Sequence, residues 1–366
     1  MDWFFSWMNN LVAKPKFHTL VKKLPVLNRM AAKDGRRIYD LVSGFVYSQV
    51  LLAMVELRLF KFLLTGKKNI SDLSDYAQLD PKKMLLLCNA ASAIGLLKRE
   101  AKSYYALTRL GAAIEGVQGL DEMILHHKMF YRDLQDPVRL LKDDFQTELK
   151  DFWSYVGNQK AITDGQATAY SNLMGTSQHI VAEETLDLVN LKGFTHVIDI
   201  GGGNGTFLSQ VRKRYPGLDL TLFDLPSVIR TAKENVKNNQ CMQDVILFPG
   251  NFIEDEFPTG GDVIFFNRVL YDHDDLTVSL LLEKAFSALE PGGSVVISEP
   301  MSGVKSPSRS GDAYFGFYTL AMTSGKPRNK CQHFEFLRTA RFEAMKSLSS
   351  ANNFVTSVIV AKKPPK

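Results

Sequence analysis

The sequence predicts an α/β protein with a second, mostly α-helical unit in front of it. Three observations predict this. From about residue 195, short apolar runs alternate with amphipathic helical stretches, the pattern of a parallel sheet with helices on both faces. The first of those strands runs into a glycine-rich turn, "VIDIGGGNGTFLSQV", residues 197–211. Upstream, "NISDLSDYAQLDPKKMLLLCNAASAIGLLKREAKSYYALT" reads as helix, turn, helix and two-stranded wing, which together make a winged helix.

Composition bounds the reading first. The chain has 366 residues, 45% hydrophobic and 23% charged, which is soluble-protein composition with ample material for a core. Its three cysteines, Cys88, Cys241 and Cys331, are far apart and odd in number. Their spacing suits no zinc site, so reduced thiols, no metal and a cytoplasmic location are expected. No apolar run approaches the roughly 20 residues of a membrane span, and the N-terminus lacks the pattern of a signal peptide. Residues 1–38 hold eight Lys/Arg and two acids, which outweighs the whole chain's net charge of +5. The basic character therefore belongs to a leader.

That leader, residues 1–37, sets Trp3, Phe4, Phe5 and Trp7 ahead of its lysines. Aromatics beside lysines suit a bilayer interface. They equally suit an arm that packs on the body or on a partner subunit. Residues 38–64 read as a long, mostly buried helix. Ser71 or Asn69 caps a short helix, and Asp80-Pro81 opens another, with Pro in the first turn where no amide hydrogen is needed. Gly95 ends it. These elements make a unit over 38–115, and 116–194 is a mostly helical region that covers the substrate side. A winged helix also raises DNA binding. The stretch Pro81–Gly95 is basic only at Lys82 and Lys83, whereas phosphate contacts need several Lys/Arg. This surface reads as one that packs against protein, and no nucleic-acid partner is expected.

Within 195–366, strands are expected at 197–200, 219–223, 245–248, 262–266 and 294–298, with helices near 205–214, 226–237 and 276–289. "EAMKSLSSANNFVTSVIVAKK" reads as two strands joined by a polar turn at Ser350–Asn353, an antiparallel hairpin. A Rossmann-like parallel sheet finished by such a hairpin is the seven-stranded arrangement of class I methyltransferases.

The glycine turn decides among ligands. Its glycines fall as G-x-G-x-G at Gly201, Gly203 and Gly205, and Thr206 stands where a dinucleotide fingerprint needs its third glycine. No Lys follows, as a phosphate loop requires. Asp199, two residues before Gly201, disfavours a pyrophosphate but suits an ammonium, which S-adenosylmethionine carries. Asp224 ends the next strand, where a carboxylate accepts hydrogen bonds from both ribose hydroxyls. Two further loops, "PGNFIED" and "FFNRVLYDHDD", reach the same sheet edge.

At these residues the chain resembles the plant-type O-methyltransferase family. "VIDIGGGNGTFL", "LTLFDLP", "GNFIEDEFP", "DVIFFNRVLYDHDD" and "LEPGGSVVISEPM" match it in order and spacing, and the winged helix matches its dimerisation domain. "IYDLVSGFVYSQVLLA", "HHKMFYRDLQDPV", "YSNLMGTSQHIVAEETL" and "GDAYFGFYTLAMTSGKPR" resemble, more narrowly, the carotenoid hydroxyl O-methyltransferases of purple bacteria, which methylate the tertiary 1-hydroxyl of acyclic carotenoids on the route to spheroidene and spirilloxanthin. The resemblance implies a homodimer with S-adenosylmethionine as cofactor. It also implies an apolar small-molecule acceptor and, through the leader, a peripheral contact with the inner photosynthetic membrane. A phenol O-methyltransferase and a tetrapyrrole carbon methyltransferase are the alternatives.

Position by position, the resemblance implies that Gly201 and Gly203 line the methionine part of the cofactor and that Asp224 takes the ribose. Asn251 and Phe252 sit where the family has an Asp and an apolar residue around adenine. Asn267 stands where plant members have a Lys, and Ser177 or Gln178 meets the cofactor carboxylate. Plant members read "LHDW" where this chain reads "LYDHDD", so Tyr271 replaces the histidine that deprotonates a phenol. Pro327 replaces a second acid, and only Glu299 is retained. An aliphatic alcohol is best served by losing its proton as the new bond forms. Tyr271 then orients the hydroxyl, and His273, His126 or His127 is the candidate base, with Glu299 orienting it. The aromatic segment Ala313–Met322 either lines an apolar pocket or packs the core.

Overall fold

The computed structural model describes residues 2–21, 24–100, 103–142, 146–157, 178–349 and 356–365. The chain divides into two compact units, one up to Ile114 and one from Glu115.

The N-terminal unit opens with helices Asp2–Val12 and Pro15–Val21 and continues with one long helix, Pro25–Glu56. Proline in its first turn starts that helix earlier than expected, because an N-terminal proline gives up no helical hydrogen bond. It ends at Leu57, where Arg58 turns left-handed (φ 53°), and a short helix, Leu59–Leu64, follows. The expectation of a buried helix over 38–64 is corrected. Only Leu52, Met54 and Val55 of the long helix are buried, whereas Ile38, Leu41 and Phe45 are 61%, 83% and 70% exposed. The same helix is long and apolar enough, by length and composition, to cross a membrane, with mean hydropathy 1.5 over its most apolar window. That overturns the expectation of no such stretch: Gly, Ser and Gln interrupt the apolar run without adding charge.

The winged helix is built as its caps dictate. Asn69, not Ser71, caps Ile70–Ala77 in a reciprocal box with Asp72. The Asp80 side chain accepts from the amides of Lys82 (3.0 Å) and Lys83 (3.3 Å) at the head of Pro81–Ala93. Strands β1 (Lys68–Asn69), β2 (Leu97–Glu100) and β3 (Tyr104–Leu107) form an antiparallel sheet in the order β1-β3-β2. Leu73, Met84, Cys88 and Tyr105 are fully buried there, and burial pushes the Cys88 thiol up to about 11.

The second unit holds a seven-stranded sheet. Its strands are β4 (His196–Ile200), β5 (Asp219–Asp224), β6 (Ile246–Pro249), β7 (Val263–Asn267), β8 (Ser294–Glu299), β9 (Glu343–Leu348) and β10 (Ser357–Lys362), in the order β6-β5-β4-β7-β8-β10-β9. The first five are parallel, and β10 inserts antiparallel between β8 and β9. The hairpin's strands are thus as expected, while Ser350–Asn353 lies outside the described residues. Alternation along β4 sends Ile198 and Ile200 to one core, with helix Asp275–Ala288, and Val197 to the other, with helices Thr206–Arg214 and Pro226–Asn238. The region 178–191 adds Ala182, Leu186 and Leu191 to that second core. Chain order reverses across β4, between β5 and β7, and this opens a crevice at the carboxyl ends of the strands.

Candidate active site

The crevice begins at the glycine turn. Gly203 takes φ +59°, a left-handed conformation that strains any side chain, and its amide donates to Asp224 Oδ2 at 2.8 Å. Asp224 Oδ1 accepts from the Leu225 amide at 2.7 Å. One bond per oxygen leaves each a lone pair for a further donor. Burial pushes this carboxyl up to about 6. Gly202, which sequence reasoning passed over, is required by packing: a Cβ there would lie 2.6 Å from Asp199 Oδ2 and 3.1 Å from the Leu222 side chain.

Asp199 is 1% exposed. Its Oδ1 accepts from Asn267 Nδ2 at 3.1 Å, and its Oδ2 is buried without a hydrogen-bond partner among the described residues. Burial pushes it up to about 8. A buried carboxylate oxygen left without a donor is costly, and a ligand cation would supply the missing partner. These residues therefore fit S-adenosylmethionine: a carboxylate for its ammonium, αL glycines that bring backbone close, and Asp224 for its ribose. Asn267, 4% exposed, gives its amide to Asp199, so its place is behind the ligand site.

Asn251 and Phe252 follow β6 at the same sheet edge. The Asn251 side chain accepts from the Ile253 amide, and the Asn251 amide donates to Asp255 Oδ2. Lys284 holds this loop through the carbonyls of Phe252, Ile253 and Asp255. The Phe252 ring meets His273 edge-on at 5.1 Å. Ser177 lies outside the described residues; Gln178 opens the helical stretch that follows it.

The loop after β7 carries Tyr271, 1% exposed. Its amide donates to Glu299 Oε2 at 3.1 Å, and its hydroxyl accepts from Arg268 Nη2 at 3.1 Å. Burial drives the phenol well above its ordinary value. Glu299 is fully buried, and its Oε1 stands 3.2 Å from His333 Nε2. It therefore holds the loop's backbone, and its hydrogen bond goes to none of the histidines proposed as base. His273 faces Phe252, and burial lowers its pKa.

Sequence reasoning missed the residues that pin this loop. Arg328, fully buried, donates to the carbonyls of Leu270 (3.0 Å) and His273 (2.7 Å) and to Asp275 Oδ1 (2.8 Å). The Lys326 amide donates to the Tyr271 carbonyl at 2.8 Å. Gly325 (φ +68°) passes so close that a Cβ would lie 2.0 Å from that carbonyl oxygen. Pro327 belongs to this strap, so the place given to the family's second acid is taken by a backbone clamp. The only hint in the sequence was "GKPR", a glycine two residues before a proline.

An aromatic wall completes the site. Helix Leu120–Asp133 sets His126 Nε2 2.7 Å from the Tyr318 hydroxyl and His127 Nε2 2.5 Å from the Tyr314 hydroxyl. Burial pushes both imidazoles down to about 4, so they are neutral near pH 7. Trp153 donates to the Tyr318 hydroxyl at 3.2 Å. Phe130, Tyr271, Phe315 and Tyr318 pack into one cluster. Of Ala313–Met322, Phe315, Tyr318, Ala321 and Met322 are buried in it, as the core-packing reading of that segment expects. A π-helical turn, Arg309–Phe315, delivers Tyr314 to the wall.

Comparison with known proteins gives the family. Residues 131–343 match the O-methyltransferase domain family, and residues 39–114 match the O-methyltransferase dimerisation domain. The chain is 41% identical to the demethylspheroidene O-methyltransferase of Rhodobacter capsulatus, over 98% of this chain and 90% of that protein. It is 39% identical to the protein of the same name from Cereibacter sphaeroides, over 97% and 94%. Its fold is similar to that of human N-acetylserotonin methyltransferase, solved in complex with S-adenosylmethionine: TM-score 0.76, 22% identity, covering 90% of this chain and 98% of that one. The chain belongs to the S-adenosylmethionine-dependent O-methyltransferases, with the family's dimerisation domain ahead of its catalytic domain.

Proposed function

We propose that this enzyme methylates the tertiary 1-hydroxyl of an acyclic carotenoid and works as a homodimer. Near-40% identity to two demethylspheroidene O-methyltransferases over almost the whole chain supports the substrate class. The observation that carries the reading is Tyr271. A buried phenol bound to Arg268 stands where phenol-methylating relatives use a histidine, which suits an acceptor that is not deprotonated in advance.

S-adenosylmethionine supplies an activated methyl group on sulfur, for in-line attack by the acceptor oxygen. The chain supplies position, where much of the rate lies. Gly201, Gly203, Asp199 and Asp224 hold the cofactor, Asn251 and Phe252 flank its adenine, and Ser177 meets its carboxylate. Asn267 orients Asp199. Tyr271, fixed through Glu299 and the Gly325–Arg328 strap, orients the acceptor. The neutral His127–Tyr314 and His126–Tyr318 pairs line the apolar wall, and His273 serves the cofactor side beside Phe252.

The N-terminal unit supports two further parts of the reading. The exposed face of Ile38, Leu41, Val42 and Phe45 seats the partner subunit. Trp3, Phe4 and Trp7 are 79%, 52% and 51% exposed, and Lys14, Lys16, Arg29, Lys33, Arg36 and Arg37 are exposed behind them. That pairing suits an anionic membrane surface, where an apolar acceptor is concentrated. Methyl transfer to a 1-hydroxylated acyclic carotenoid, compared with a panel of phenols, tests the function. Turnover on phenols alone would reject the carotenoid reading.

A further inference from the structure

We infer that Arg268 and Asp272 bind the acceptor hydroxyl and that Asp272 receives its proton. This rests on the O-methyltransferase reading of the same pocket and names the base that reading lacks.

Arg268 stands at the end of β7 in a left-handed conformation (φ 55°), unusual for so long a residue. Its amide is held by the Ser298 carbonyl at 2.8 Å. That conformation delivers the guanidinium inward, 5.8 Å from the Tyr271 ring centre and 5.9 Å from that of Phe315. Nη2 is spent on the Tyr271 hydroxyl. Nε is buried and, among the described residues, has no hydrogen-bond partner. Asp272 Oδ1 is buried and unpartnered in the same sense. Arg268 donates to the Tyr271 hydroxyl, and Asp272, the next residue in the chain, interacts electrostatically with Arg268 and with Tyr271.

A buried unspent donor and a buried unspent acceptor are what an alcohol needs. Its oxygen accepts from Arg268 Nε, and its hydrogen is donated to Asp272 Oδ1. Two ionisable groups held in an apolar aromatic wall without such a guest are expensive. In the reaction the O–H bond breaks and its proton passes to Asp272 Oδ1. The electron pair left on oxygen forms the new bond to the methyl carbon, and the carbon–sulfur pair leaves on sulfur as the neutral thioether. Burial pushes Asp272 up to about 8, so it is a stronger proton acceptor than an ordinary carboxylate once ionised, and transfer rises as pH passes upward through that value. The rival is His126, whose Nδ1 is also buried and unpartnered. Its Nε2 is already engaged with the Tyr318 hydroxyl at 2.7 Å, and burial lowers the imidazole to about 4, so it is the weaker base.

The test is single-turnover methyl transfer by the full chain on a 1-hydroxylated acyclic carotenoid in detergent micelles. It is read beside S-adenosylhomocysteine affinity and the absorption shift of carotenoid bound to that complex. Asp272→Asn is expected to lose roughly 10²–10⁴ in rate, with S-adenosylhomocysteine affinity unchanged and the carotenoid still bound. Arg268→Gln is expected to weaken carotenoid binding about tenfold or more. Full rate in Asp272→Asn, with the loss moved to His126→Gln, would overturn the assignment. If Asp272→Asn no longer binds S-adenosylhomocysteine, Asp272→Glu decides: retained transfer supports a carboxylate base, and loss with cofactor and carotenoid both bound refutes it. Failure of the wild type on the carotenoid, with turnover of another acceptor, removes the substrate reading alone. The same variants on that acceptor then decide the base.

Discussion

Asn267 and Asp199 are joined by a 3.1 Å hydrogen bond in the buried floor of the crevice, and the bond uses only one of the carboxylate's two oxygens. The other, Oδ2, has no hydrogen-bond partner among the described residues. Because burial raises Asp199 to about 8, the folded apo chain keeps a proton that the unfolded chain releases near pH 4. The folded state therefore binds more protons between about pH 4 and 8, and this group's contribution to stability falls as pH rises through that window. A ligand ammonium reverses the effect. Thermal melts should show stabilisation by S-adenosylhomocysteine growing from pH 5.5 to 8, and Asp199→Asn should flatten that growth. Equal pH dependence in both proteins would remove Asp199 from the ammonium site.

Asp224→Ala should weaken S-adenosylhomocysteine binding by roughly 1.5–3 kcal/mol for each charge-assisted ribose bond lost. It also frees the amides of Gly203 and Leu225, so the turn itself loosens. Calorimetry measures this. Unchanged affinity would sink the ribose assignment.

The strap over the catalytic loop should be intolerant of small changes. Gly325→Ala places a methyl against the Tyr271 carbonyl and should cost on the order of 3 kcal/mol in denaturant unfolding. Arg328→Lys loses the fork that spans Leu270, His273 and Asp275. Turnover should fall while S-adenosylhomocysteine affinity stays near wild type. A parallel loss of both would mean the strap supports the whole crevice and not the loop alone.

Leu41→Glu with Phe45→Glu should shift the protein from dimer to monomer, because each places a charge on an apolar face exposed in the single chain. Light scattering at micromolar concentration gives the answer. A wild type that is already a stable monomer would reject the assembly.

For the leader, flotation with vesicles containing anionic lipid should be lost when Trp3, Phe4 and Trp7 are replaced by Ser. Salt should weaken the wild type's binding, since its electrostatic part is screened. Flotation equal in variant and wild type would assign any membrane contact elsewhere.

Much of this molecule was legible because its signals are local. Strand and helix periods placed β4 to β8 and the helices between them. Asn69 and Asp80 cap helices through amides two or three residues away, so their roles are written in adjacent sequence. The glycines of the turn and Asp224 were legible for the same reason: a tight turn and a strand end dictate residue type.

What the sequence by itself determined, then, was the fold class, the cofactor crevice and the absence of the usual histidine at Tyr271. Tertiary structure alone decided what surrounds that tyrosine. His126 meets Tyr318 across 192 residues and His127 meets Tyr314 across 187. Arg328 reaches back 58 residues to Leu270, and Gly202 is a glycine because of Asp199's side chain and not because of its own φ. The 38–64 stretch was misjudged for a related reason. Apolar sequence says that a surface will be covered, and only the fold says whether its own chain does the covering. Local rules constrain neighbours along the chain, whereas a catalytic site is made by groups that only packing brings together.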